Sequence, residues 1–282
     1  MQMKQIHINT IVTAVKQLCI ETNYQLPEDV KNVIATCRAD EPFASAERIL
    51  GRIMENTTLA SEGVYPICQD TGMACVFVEI GQEVHIEGGS LEEAIHEGVR
   101  QGYEAGFLRK SVVKDPLNRQ NTGDNTPAVI TYTVVTGEAL EITLAPKGFG
   151  SENMSRLKML KPSDGVDGVI AFVLETVRLA GSNACPPIVL GIGIGGTFDK
   201  VASLAKKALM RTIGSTHKEV FYRDLESALL TKINELGIGP QGFGGKTTAL
   251  AVHIETYPTH IAGLPIAVNL NCHVARHAKI VL

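Results

Sequence analysis

IVLGIGIGGTFDKVASLAKKALM, residues 188–210, admits few conformations. An apolar run alternates with glycine, stops at a glycine pair, and passes into a segment with helical amphipathic spacing. It reads as a strand, a glycine turn and a helix, which is the element order of an α/β chain. Around it the alternation continues. Residues 8–23 place Ile11, Val12, Val15, Leu18 and Cys19 on one helical face. Pro27 opens a second helix with acidic residues in its first turn. FASAERILGRIMENTTLASEG is a third. MACVFVEIG is a strand, and Ser90 to Glu93 form a capping box ahead of a fourth helix. AVITYTVVTG and EALEITLAPKG read as a β-hairpin. Residues 166–181 and 215–237 are helical, the latter stopping at Gly237, and AVHIET and LPIAVNLN are late strands. No repeat, low-complexity tract or linker interrupts the order. The expected fold is α/β, mixed with α+β: a helical N-terminal region, then intertwined sheets and helices, with 1–282 as one unit.

Two glycine patterns invite a nucleotide. GIGIGG (191–196) matches GxGxxG between a strand and a helix, the setting of a dinucleotide loop. It lies deep in the chain, however, and no second strand closes on an acidic residue about 20 positions later. A nucleotide-binding regulatory protein built on this turn is the alternative from a different function class. GPQGFGGKTT (239–248) resembles a phosphate loop but has Pro240 where the pattern needs glycine, so Lys246 reads as a solvated loop lysine.

Composition narrows the partners. A net charge of −4 offers no basic surface for nucleic acid or an anionic membrane, and the absence of Trp with 5% aromatics disfavours base stacking. No apolar run approaches the roughly 18 residues of a membrane span, and MQMKQIHINT has no signal core. The expected address is cytoplasmic, where the six cysteines are thiols or ligands rather than disulfides.

Cys19, Cys37 and Cys75 fall on helix faces or within a strand, as small core residues do. Cys68 (in CQDTG), Cys185 (in NACPP) and Cys272 (in NCHVARH) each fall at a loop or strand end beside polar residues or proline. Taken singly, each is a core residue first. Together they can serve an iron–sulfur cluster, whose fourth iron would lack a protein ligand and stay open to substrate.

CQDTG, the LRKS and NTGDNTPA loop, KGFGSEN, NACPPIVLGIGIGG, GIGPQGFGGKTTALAVHIE and THIAGLPIAVNLNCHVARH span nearly the whole chain. In these motifs it resembles the α subunit of class I iron–sulfur fumarate hydratase and, more distantly, that of tartrate dehydratase. The resemblance implies a [4Fe–4S] cluster on Cys68, Cys185 and Cys272, with the elements folded around it. It implies a dicarboxylate touched by Gln69, Asp70, Arg109 and the Gly150 backbone. Asp70 would transfer a proton on the hydroxyl side, with His260 beside it. His273 and His277, flanking Cys272, would orient backbone rather than bind metal. The implied reaction is reversible hydration of fumarate to malate, with tartrate dehydration as the alternative. The family's usual KGGGSEN reads KGFGSEN here, so Phe149 stands where a glycine is expected. No segment resembles the second domain that supplies the carbon-side base in single-chain relatives. A separate β subunit is therefore the expected partner, with α and β pairing and then dimerising.

Overall fold

The computed structural model describes residues 3–282. They cluster into two compact units. The first comprises Met1–Pro27, Thr57–Phe149 and Arg276–Leu282; the second comprises Glu28–Asn56 and Gly150–Ala275. In chain order the elements are β1 (Lys4–His7), α1 (Ile8–Tyr24), α2 (Glu28–Ala39), α3 (Ala44–Ser61), β2 (Met73–Gly81), β3 (Val84–Glu87), α4 (Leu91–Ala105), β4 (Val129–Val135) and β5 (Leu140–Lys147). They continue as α5 (Phe149–Glu152), β6 (Arg156–Leu160), α6 (Gly165–Ala180), β7 (Ile188–Gly195), α7 (Phe198–Ala208), α8 (Val220–Asn234), β8 (Ala249–Tyr257), β9 (Leu264–Asn271) and β10 (Ala278–Val281).

The first unit is a four-stranded sheet in the order β10-β5-β2-β4, with β1 and β3 forming a separate parallel pair. Ile11, Val15, Leu18 and Cys19 of α1 share one core with Val76 and Val78 of β2, Ile142 and Leu144 of β5, and Ile95, Val99 and Tyr103 of α4. Ser90 caps α4 as expected, its hydroxyl accepting from Glu93 N at 3.4 Å. The expected hairpin of β4 and β5 is not formed. β2 runs between them, antiparallel to β5 and parallel to β4. The reason is burial. β2 carries the apolar sequence that needs cover on both faces, whereas most of β4 is exposed and β4 lies at the sheet edge.

The second unit has a four-stranded sheet in the order β6-β9-β7-β8. β7 is buried at every position, and its two faces differ. Ile188, Leu190, Ile192 and Ile194 pack into a core with Val169, Phe172, Val173 and Val177 of α6 and Leu225, Leu229 and Ile233 of α8. The alternate positions face α7. A Cβ on Gly191 would stand 2.1 Å from the Ala205 carbonyl oxygen, and one on Gly193 would stand 2.2 Å from that of Val201. The glycines let a helix backbone lie directly on a strand backbone. Gly191 and Gly193 of the GIGIGG pattern lie inside the strand and serve this packing rather than a phosphate turn, while Gly195 ends the strand at φ 92° against the Tyr257 carbonyl of β8.

Candidate active site

In the first unit, the CQDTG turn leads into β2 and is held from every side. Ile67 N donates to the Asn23 carbonyl at 2.9 Å. The Tyr103 hydroxyl donates to the carbonyl oxygens of Thr71 (2.7 Å) and Gly72 (3.0 Å), and burial pushes its pKa far up, so it stays a donor. Asn125, fully buried, donates through Nδ2 to the Gly72 carbonyl at 3.2 Å. Thr71 Oγ1 donates to the Arg109 carbonyl at 3.0 Å. That bond carries the long polar loop to the turn and leaves the Arg109 residue exposed.

The Asp70 carboxylate is fixed in this cage. Its Oδ1 accepts from Gly72 N at 3.0 Å and its Oδ2 from Phe149 N at 2.9 Å. Phe149 therefore fits where glycine was expected. It is not among the residues with positive φ, and it is 47% exposed while its N–H serves Asp70. Two residues before Asp70, the Cys68 sulfur accepts from Asp70 N at 3.4 Å and lies 3.3 Å from Gln69 Oε1. Gln69 is exposed and Cys68 half-buried. Behind the turn, Arg276 Nη2 donates to the Asp70 carbonyl at 2.6 Å. Arg276 is 3% exposed, and its Nε and Nη1 meet no acceptor among the described residues.

In the second unit, Cys185 ends the turn before β7 in the left-handed region (φ 51°, ψ 62°), and Cys272 directly follows β9. β7 and β9 are antiparallel with Val189 opposite Asn271, so both cysteines emerge at one end of the sheet. Their backbones meet: the Cys185 carbonyl accepts from His273 N at 3.3 Å and lies 3.0 Å from His273 Nδ1. Gly150, exposed at the start of α5, approaches this turn, a Cβ there standing 3.6 Å from the Asn183 carbonyl oxygen. His260 is elsewhere. It is exposed between the end of β8 and the start of β9, its Nδ1 accepting from Ala262 N at 3.2 Å. The eight residues of β7 separate that end of the sheet from the cysteine end, a span of ~26 Å.

Among the described residues, no three His, Cys, Asp or Glu side chains are gathered around one metal position. The chemistry of the donors nevertheless fits an anionic sulfur cluster. Cys68, Cys185 and Cys272 are half-buried thiols on turns, and Cys68 already accepts an N–H. The buried Arg276 guanidinium adds positive charge and two open donors beside the Cys68–Asp70 turn, which suits an anionic group there. Cys19 is buried in the core of the first unit and Cys75 is buried on β2, and burial drives the Cys19 pKa upward, away from the thiolate that a metal needs. Cys37 is half-buried on α2 and its pKa is also raised by burial.

The GPQGFGGKTT loop does hold an anion, but one that belongs to the chain. The Glu41 carboxylate accepts from Lys246 N (2.9 Å), Thr247 N (3.0 Å) and Thr247 Oγ1 (2.9 Å). Sequence reasoning missed Glu41, Arg276 and Gln241. The last two fall within motifs already singled out, whereas nothing around Glu41 distinguishes it from a surface acid.

Residues 12–281 match the family model described as fumarate hydratase (fumerase). The chain is 46% identical over 274 residues, 95% of its own length and 96% of the relative's, to a protein of Methanocaldococcus jannaschii named putative L(+)-tartrate dehydratase subunit alpha. It is 30% identical over 282 residues, 99% of its length and 93% of the relative's, to the L(+)-tartrate dehydratase subunit alpha of Escherichia coli strain K12. The chain belongs to the fumarate hydratase family and is a hydro-lyase.

Proposed function

We propose that this chain is the α subunit of a [4Fe–4S]-dependent hydro-lyase that interconverts a 2-hydroxy-dicarboxylate and its dehydrated product, with fumarate and malate as the leading pair. The observation that carries the reading is the CQDTG turn, where a half-buried thiol stands two residues from a carboxylate oriented by two backbone N–H groups. Cys68, Cys185 and Cys272 are the proposed ligands, each a half-buried thiol.

Dehydration removes a weakly acidic C–H proton and expels hydroxide, a poor leaving group. The cluster, when bound, supplies an open iron as Lewis acid. Asp70, as the carboxylic acid, delivers its proton to the departing hydroxyl oxygen and is left as the carboxylate, which in the hydration direction takes a proton from water. Its two backbone donors fix the plane of the carboxylate, so that no reorientation is needed at reaction. The exposed Arg109 guanidinium is suited to bidentate pairing with a substrate carboxylate, and Gln69 and the Gly150 backbone, both exposed, are the further proposed substrate contacts. A separate β subunit is supported by relatives named as α subunits, and the carbon-side base is assigned to it as part of the proposal. No role is assigned to His260, which lies at the sheet end away from Cys185 and Cys272. No helix among the described residues is long and apolar enough to cross a membrane.

The SEN of KGFGSEN resembles the fumarase side of the family, and this supports fumarate. The names of the relatives support L(+)-tartrate as the second reading. Anaerobic reconstitution with iron and sulfide, with the β chain present, tests the proposal. A brown protein that hydrates fumarate is expected, and dehydration of L(+)-tartrate alone would select the second reading. Cys68→Ser is expected to remove colour and activity together, and Cys19→Ser to spare both. Failure of the wild-type pair to take up iron would refute the assignment.

A further inference from the structure

We infer that Gln241 is a positioning residue that clamps the Cys185 and Cys272 turns. The inference rests on the proposed role of those cysteines as ligands. The clamp is made twice over to one carbonyl: Gln241 N donates to the Pro186 carbonyl at 2.7 Å, and Gln241 Nε2 donates to the same oxygen at 2.8 Å. Nε2 also lies 3.1 Å from His273 Nδ1. His273 in turn meets the Cys185 carbonyl through both its backbone N–H and its ring. One amide thus touches the residue after Cys185 and the residue after Cys272.

The backbone at this point is held in an uncommon conformation. Gln241 sits in the left-handed region (φ 55°, ψ 14°), as does Cys185. A residue with a Cβ is disfavoured there, and such conformations persist only where surrounding contacts impose them. The contacts are present. Glu41 anchors the loop beyond through Lys246 N and Thr247 N, and Gly239 N donates to Thr248 Oγ1 at 3.1 Å. Gly242 lies against Ser182, so close that a Cβ would stand 2.5 Å from the serine Cβ. The loop is pressed onto the Cys185 turn with glycines on both sides of Gln241. If backbone shape were all that mattered, a glycine at 241 would serve better. The side chain adds the amide contacts to Pro186 and His273 that a glycine would lack.

This separates positioning from stability. Gln241→Gly keeps the backbone N–H to Pro186, relieves the positive φ and removes only the amide clamp. The thermal midpoint of the complete chain is expected to be unchanged or higher. In the same apo protein, iodoacetamide labelling of Cys185 and Cys272, followed by peptide mass spectrometry, is expected to be roughly five- to tenfold faster, the scale of one or two lost hydrogen bonds. Cys68 serves as the internal reference and keeps its rate. In the reconstituted αβ enzyme the variant is expected to hold less iron and to show an altered cluster spectrum. Equal labelling rates in wild type and variant, or a lower melting temperature with labelling accelerated at all three cysteines, would overturn the inference. If wild type takes up no iron, the cluster assignment fails, while the labelling ratio still decides the clamp.

Discussion

His253 makes the second unit acid-sensitive. Its ring is buried on β8, 1% exposed, with Nδ1 meeting no partner among the described residues. Burial, and next the neighbouring Arg211 charge, hold its pKa at about 4, against 6.5 for a free histidine; Glu226, the Ala208 backbone and Asp29 oppose the shift more weakly. The folded ring is therefore neutral at pH values where the unfolded ring is charged. Stability from this residue is complete above about pH 6.5 and drains away as pH falls toward about 4. Between pH ~7.5 and pH ~5 the unfolded chain gains nearly a full proton that the folded chain refuses, a loss of about 2 kcal/mol at 1.4 kcal/mol per unit. Urea unfolding read by far-UV circular dichroism measures it, Trp being absent from the chain. Carboxylates titrate over the same range, so the quantity to follow is wild type minus His253→Gln. That difference should fall by about 2 kcal/mol over this range. A difference independent of pH, or one that grows on acidification, would refute the reasoning.

Two further outcomes follow from close contacts in the second unit. Glu41→Ala strips the acceptor from three donors at Lys246 and Thr247, so a loss of about 2–4 kcal/mol is expected in urea unfolding, with Glu41→Gln milder. Gly193→Ala sets a methyl 2.2 Å from the Val201 carbonyl oxygen, where only backbone could move aside. A drop in melting temperature larger than that of Ala205→Gly is expected, the latter removing one methyl of core at about 1 kcal/mol.

The helices were legible because their information is local. Apolar spacing marks α1 over its buried face, and Ser90 with Glu93 marks the start of α4. β2, β4, β5, β7, β8 and β9 were legible singly for the same reason, whereas the four- and five-residue strands β1, β3, β6 and β10 are too short to show a period and were not read. CQDTG stood out because a thiol, an amide and a carboxylate in succession make a poor core, and the structure adds the hydrogen bonds that hold the turn.

Only the tertiary structure could decide who neighbours whom. Adjacent β4 and β5 read as a hairpin because proximity in sequence favours pairing, yet the sheet inserts β2, whose apolar residues need a partner on each side. GIGIGG carries the spacing of a phosphate loop, and the presence of α7 on the strand turns Gly191 and Gly193 into a packing groove. His260 and Cys272 are twelve positions apart in sequence, and an eight-residue strand between them sends them to opposite ends of a sheet. Glu41, Gln241 and Arg276 acquire their parts from contacts at long sequence separation: 205 residues for Glu41 with Lys246, 55 for Gln241 with Pro186, and 206 for Arg276 with Asp70. Local chemistry selects which residues are unusual. Burial and hydrogen-bond satisfaction, summed over the whole chain, decide which of them meet.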